Sequence, residues 1–134
     1  MKTEPKIMTI LLVEDEQPLV KVIEAKLVQG GFDVVTARTI DQALGYMEDI
    51  DTIDAVWLDH YLLGGKTGLD FITTLKAPGS KWVTTPIFVV SNTASDGNLR
   101  SYIRLGVTKY FVKAEHRLDE ITKDIRSFLT TPTE

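Results

Sequence analysis

The feature that most restricts how this chain can fold is an alternation that runs its whole length. Five short apolar runs, Ile7–Val13, Asp33–Ala37, Ala55–Asp59, Ile87–Val90 and Lys109–Val112, are each followed by a segment whose apolar residues recur at helical spacing. The first run is nearly continuous in its apolar character, the mark of a strand buried on both faces. Strands that alternate with helices predict a parallel sheet covered on both sides, because each crossover is right-handed and must pack back on the sheet. In such sheets ligands bind beyond the carboxyl ends of the strands, where the winding reverses.

Local signals mark the helices. Pro18 falls near the start of the first, Leu19, Val22, Ile23 and Leu27 give its spacing, and Gly30-Gly31 stops it. Thr39 and Gln42 form a capping box ahead of Ala43, Leu44 and Met47. Gly64, Gly65 and Gly68 mark a loop, after which Leu69, Ile72 and Leu75 outline a third helix ended by Pro78-Gly79. Leu99, Tyr102 and Ile103 outline a fourth that stops near Gly106. Leu118, Ile121, Ile125 and Phe128 make the last helix amphipathic. The reading is one domain over residues 1–134, with a core of about 7–129 and loose ends at 1–6 and 130–134.

Composition excludes several classes of function. The chain is 43% hydrophobic and 25% charged, neither a disordered nor a membrane profile. No apolar stretch approaches the roughly 20 residues of a spanning helix, and the polar Met1–Lys6 is not a secretory signal. With no cysteine there are no disulfides and no thiolate metal sites, which fits a cytoplasmic protein. A net charge of −4, from 15 basic and 19 acidic residues, speaks against direct nucleic-acid binding.

The ends of the strands carry the chemistry. Glu14 and Asp15 end the first, Asp59 the third, Ser91 the fourth and Lys113 the fifth. On a parallel sheet these ends share one rim. Three carboxylates in a partly dry cleft repel one another unless a cation neutralises them. A few hard oxygen ligands describe a Mg2+ site, with Mn2+ as a substitute. For Glu14 and Asp15 alone the competing reading is capping, with Asp15 or Glu16 at the positive end of the first helix. Asp59 fits a nucleophile that forms an aspartyl phosphate. Lys113 and a metal would supply positive charge to the transferring group, and the Ser91 hydroxyl would hydrogen-bond it.

Leu11–Glu16 (LLVEDE), Trp57–Asp59 (WLD), Val89–Ser91 (VVS) and Gly106–Lys113 (GVTKYFVK), in this order and spacing, resemble the receiver domain of bacterial and archaeal response regulators. The resemblance spans essentially residues 7 to 129 and implies a flavodoxin-like α/β fold, doubly wound, with strand order 2-1-3-4-5 and five helices. It also implies roles. Asp59 would accept phosphate from a histidine kinase or a histidine phosphotransfer protein. Glu14, Asp15, Asp59 and the main-chain carbonyl of Tyr61 would bind the metal. Lys113 and Ser91 would bind the phosphoryl group. Ser91 and Tyr110 would form the switch, and the fourth helix, fifth strand and fifth helix would signal to a downstream protein. A homodimer through the last helix is left open.

The chain departs from the family pattern in three places. Leu63 stands where the family usually has proline, and Gly68 lies nine rather than eight residues after Asp59, so the loop Leu62–Thr67 is one residue longer. Ala114 replaces the usual proline after Lys113, so that bond is either trans or a strained cis peptide. Asn92 follows Ser91 where a small residue is common, and with Tyr61 it is expected to narrow access to an acyl phosphate. His60 is directed away from Asp59 by strand alternation, and His116 reads as solvated at the start of the last helix. Trp57 and Phe111 read as core residues, while Trp82 lies in a loop, Ala77–Thr85, to which the sequence assigns no purpose.

Competing functions fit less well. A haloacid-dehalogenase-like phosphatase needs a second aspartate where Tyr61 stands. A flavodoxin-like FMN carrier needs a phosphate loop after the first strand, where Glu14-Asp15-Glu16 would repel it. A phosphate-independent interaction module on the same fold stays open, as does the choice between a free-standing receiver and a piece of a larger regulator or hybrid kinase.

Overall fold

The computed structural model describes residues 7–60, 67–92 and 96–130. Their elements are β1 (Thr9–Val13), α1 (Gln17–Gln29), β2 (Asp33–Ala37), α2 (Ile40–Asp49), β3 (Ala55–Leu58), α3 (Gly68–Leu75), β4 (Ile87–Ser91), α4 (Asp96–Arg104), β5 (Lys109–Val112) and α5 (Leu118–Thr130). The strands form one parallel sheet in the order β2-β1-β3-β4-β5, the order the family resemblance implies.

Alternation along the strands builds two cores. Leu11, Val13, Val56, Leu58, Ile87 and Val89 pack toward α2, α3 and α4, where Met47, Phe71, Ile72 and Tyr102 meet them. Ile10, Leu12, Ala55, Trp57, Phe88, Val90 and Phe111 face α1 and α5, against Ile23, Leu27, Ile121 and Ile125. Trp57 and Phe111 are thus core residues, as expected. At the amino ends of the strands Asp54 joins β3 to β1, its carboxylate accepting from the Thr9 amide and its own amide donating to the Thr9 carbonyl, both at 2.8 Å.

Several expectations need correction. β1 begins at Thr9, and Ile7 before it is exposed. Val22, Ile103 and Phe128 have helical spacing but lie at the margin of their apolar stripes and are exposed. Thr130 belongs to α5 rather than to a loose end, its hydroxyl donating to the Arg126 carbonyl. Thr39 caps α2 by accepting from the Gln42 amide, but the Gln42 side chain accepts from the Arg38 amide, one residue before the box that the spacing predicts. A full capping box occurs instead on α3, between Thr67 and Asp70.

The Ala77–Thr85 loop is largely exposed but sends one side chain, Trp82, into the core. Trp82 is buried in the α2–α3 core, and its indole N–H donates to the Met47 carbonyl at 3.2 Å. Lys81 lies over the Trp82 ring, and the Lys76 ammonium donates to the Val83 and Thr85 carbonyls, both at 2.9 Å. α1 ends as predicted at Gly30-Gly31. Gly31 has a φ of 93°, a conformation that suits glycine, and Arg126 of α5 donates to the Gly30 carbonyl.

Candidate functional site

The rim at the carboxyl ends of the strands brings Glu14, Asp15, Asp59 and Lys113 together. β3 ends at Leu58, so Asp59 is the first residue beyond it, with its amide still bonded to the Val13 carbonyl at 3.0 Å. That bond fixes the Asp59 backbone beside the end of β1. Glu14 follows β1 directly and is held the same way, its amide donating to the Ala37 carbonyl of β2. One carboxylate oxygen from each of Glu14, Asp15 and Asp59 lies within 4.8 Å of the others.

Glu14 is almost wholly buried. Its Oε2 accepts from the amides of Asp15 and Glu16, at 3.0 and 3.3 Å, and its Oε1 accepts from the Lys113 ammonium at 3.2 Å. This decides against capping. The N-cap of α1 is Glu16, which makes no side-chain cap bond among the described residues, and the first turn carries Pro18 but no acidic residue. The Lys113 ammonium also lies 3.5 Å from Asp59 Oδ1. It spans from β5 across to β3 and β1, where the Lys113 amide donates to the Ser91 carbonyl and so ties the ends of β4 and β5. The Lys113–Ala114 bond is trans.

The charges do not balance. Among the described residues three carboxylates share one ammonium. Burial, helped by the Glu14 charge and to a lesser degree by Asp15, raises the Asp59 carboxyl to about 7, with Lys113 only partly opposing them. For Lys113 burial works against the charged form, but Asp59 and Glu14 outweigh it and hold the ammonium above its ordinary range. A site that keeps a proton on Asp59 near neutrality lacks positive charge. A divalent cation on the three carboxylates would supply it, so the residues fit Mg2+. Asp59 is not sealed in, since its side chain retains 8% exposure.

Ser91, at the end of β4, is fully buried, and Asn92 just past it is exposed. Tyr110 lies half-buried on β5, its ring centroid 5.7 Å from that of Tyr102. Tyr61 and the longer part of the loop, 61–66, lie outside the described residues.

His60 points away from Asp59, as alternation requires, and burial holds its imidazole below the ordinary histidine range. Its Nδ1 shares a 2.5 Å hydrogen bond with the Tyr102 hydroxyl. His116 departs from its solvated reading, being half-buried with its ring edge-on to Phe111 at 5.3 Å. Sequence reasoning missed two residues. By spacing alone Tyr102 is one of three helix markers, yet it is fully buried. The sequence groups Gly68 with a loop, yet it opens α3 at a point where an added Cβ would overlap the Tyr102 hydroxyl and crowd the Asp59 carbonyl. A glycine preceded by a capping threonine, three residues ahead of Asp70, was the available signal.

The response regulator receiver domain profile matches residues 10–126. The chain belongs to this family of two-component signalling domains. It is 29% identical over 104 residues to the transcriptional regulatory protein CpxR of Escherichia coli strain K12, covering 78% of this chain and 42% of that protein. The chain therefore spans less than half the length of the curated relatives it matches. Among solved structures, the phosphorylated cyanobacterial phytochrome response regulator RcpA superposes with a TM-score of 0.84 at 25% identity, over 96% of this chain and 98% of that one. The Mn(2+)-bound response regulator Rcp1 superposes with a TM-score of 0.80 at 20% identity, over 94% and 97%. Among the described residues no helix is long and apolar enough to cross a membrane.

Proposed function

We propose that this chain is a phospho-accepting receiver of a two-component phosphorelay, with Asp59 as the acceptor and a histidine kinase or histidine phosphotransfer protein as the donor. The observation that carries this reading is the meeting of Asp59 with Glu14, Asp15 and the Lys113 ammonium on one rim. An oxygen of the ionised Asp59 carboxylate bonds the phosphorus as the phosphorus–nitrogen bond of the donor phosphohistidine breaks, and the imidazole leaves with a proton. Lys113 then pairs with the phosphoryl oxygens in place of the carboxylate. The Ser91 hydroxyl hydrogen-bonds the same group. Glu14 acts less as a free ligand than as a brace, because the Asp15 and Glu16 amides and Lys113 already hold it.

Glu14, Asp15, Asp59 and the Tyr61 carbonyl would hold Mg2+, or Mn2+ in its place. When bound, the ion neutralises the carboxylates and the incoming phosphate charge. The charge imbalance at the rim supports that choice, as does the manganese-bound state of the relative Rcp1. Asp59 is a stoichiometric acceptor here rather than the centre of a turnover enzyme. Phosphorylation shifts a two-state equilibrium through Ser91 and Tyr110, and a downstream protein reads the surface of α4, β5 and α5. The domain works in the cytoplasm as one receiver unit and binds neither nucleic acid nor membrane directly.

The test is intact mass after incubation with acetyl phosphate. The wild type gains one phosphoryl group only with Mg2+, and Asp59→Asn gains none. A wild type that stays unmodified under these conditions favours a phosphate-independent interaction module.

A further inference from the structure

Among the described side chains of α4, only Tyr102 is fully buried. Among those side chains this ring is the one that enters the core, and it does not end in apolar packing. Its hydroxyl shares a hydrogen bond with Nδ1 of His60, the residue next to Asp59, and the two rings meet edge-on with centroids 5.4 Å apart. The His60 carbonyl accepts from the Gly68 amide at 3.2 Å, so the same residue ties the start of α3. Gly68 leaves the space in which the Tyr102 hydroxyl sits. On its other side the Tyr102 ring lies against the half-buried Tyr110 of the proposed switch. One buried side chain thus touches both the residue beside the acceptor and the aromatic that faces the partner surface.

We propose that Tyr102 is a positioning residue, whose hydroxyl bond to His60 fixes the end of β3, and with it Asp59, against α4 and Tyr110. This rests on the receiver reading of Asp59. A pre-set acceptor spends less ordering energy when a phosphoryl group or its mimic binds, and binding there must in turn be felt at α4 by thermodynamic reciprocity. His60 and Tyr102 act as one unit, because each supplies one end of the same bond.

The test uses the whole chain, beryllofluoride with Mg2+ as the probe, and 3-fluorotyrosine labelling to follow Tyr110 by 19F NMR. Tyr102→Phe keeps the ring and removes only the hydroxyl. It is expected to weaken beryllofluoride binding roughly 3- to 10-fold, the range of a single net hydrogen bond, and to move the Tyr110 resonance before the probe is added. His60→Phe is expected to give the same loss, and the double variant no more than either single one. His60→Asn, which offers an acceptor near the Nδ1 position, is expected to bind within twofold of the wild type. A Tyr102→Phe variant that binds as tightly as the wild type, or more tightly, overturns the proposal, as does a double variant whose losses multiply. If His60→Phe does not fold, Tyr102→Phe and His60→Asn decide between these results. A wild type that does not bind beryllofluoride overturns the receiver reading and this inference together, whereas a binding wild type with indifferent variants overturns this inference alone.

Discussion

The two faces of the sheet are held by different means. Toward α1 and α5 the packing is aliphatic and aromatic, and the buried Trp57 Nε1 and Thr122 Oγ1 find no hydrogen-bond partner among the described residues. Its polar ties lie at the perimeter, where Arg126 meets the Gly30 carbonyl and Lys26 pairs with Asp119. Toward α2, α3 and α4, polar bonds run through the core itself. His60 meets Tyr102, and Trp82 meets the Met47 carbonyl. Apolar packing depends on volume and has no preferred direction, whereas a buried hydrogen bond is directional and costly to leave unmade. The first face is thus suited to stability and the second to transmitting position.

The strongest challenge to this division is a cavity on the apolar face. Ile125→Ala removes a fully buried side chain between α5 and the sheet. It is expected to cost about 2–5 kcal/mol in urea unfolding while leaving beryllofluoride affinity within twofold of wild type. A variant that loses both would show that the apolar face also sets the site.

The second test is electrostatic and sits on the rim between the faces. The folded pKa of Asp59 is raised to about 7, above the ordinary carboxylate value. Between about pH 4 and 7 the folded protein therefore holds a proton that the unfolded chain has released, and stability falls as pH rises through that window. Asp59→Asn removes this penalty. In metal-free buffer it is expected to be more stable than wild type by roughly 1–3 kcal/mol at pH 8 and about equal at pH 4. Mg2+ needs the ionised carboxylate, so its stabilisation of the wild type should grow with pH over the same window. Melting curves across pH, with Mg2+ or a chelator, check both signs.

The third test sharpens the picture of the polar face. Gly68→Ala places a methyl group against the Tyr102 hydroxyl, Leu58 and the Asp59 carbonyl. It is expected to cost about 1–3 kcal/mol, and Tyr102→Phe in the same chain should recover part of that loss. No recovery would mean that the Asp59 backbone, rather than the Tyr102 hydroxyl, sets the limit.

Much of this architecture is legible in the sequence. Periodicity separates strands from helices, and parallel winding gathers the ends of β1, β3, β4 and β5 on one rim, which is why Glu14, Asp15, Asp59 and Lys113 could be named together. Depth is what periodicity cannot give. Tyr102 and Ile103 are neighbours with similar helical claims, yet one is fully buried and the other exposed. Partners distant in the chain decide such cases, His60 for Tyr102 and Met47 for Trp82. The same holds for Glu14. An acidic residue before a helix reads equally as a cap or a ligand until Lys113, 99 residues on, is seen to reach it.

The course of α5 has a practical outcome. Its final turn carries Phe128, edge-on to Phe88 near the beginning of β4, and β1 likewise sets out from that side of the molecule. The first and last described residues therefore both emerge at the pole away from the carboxylates. A fluorophore attached at Ile7 or Thr130, both exposed, would hang clear of the donor's approach.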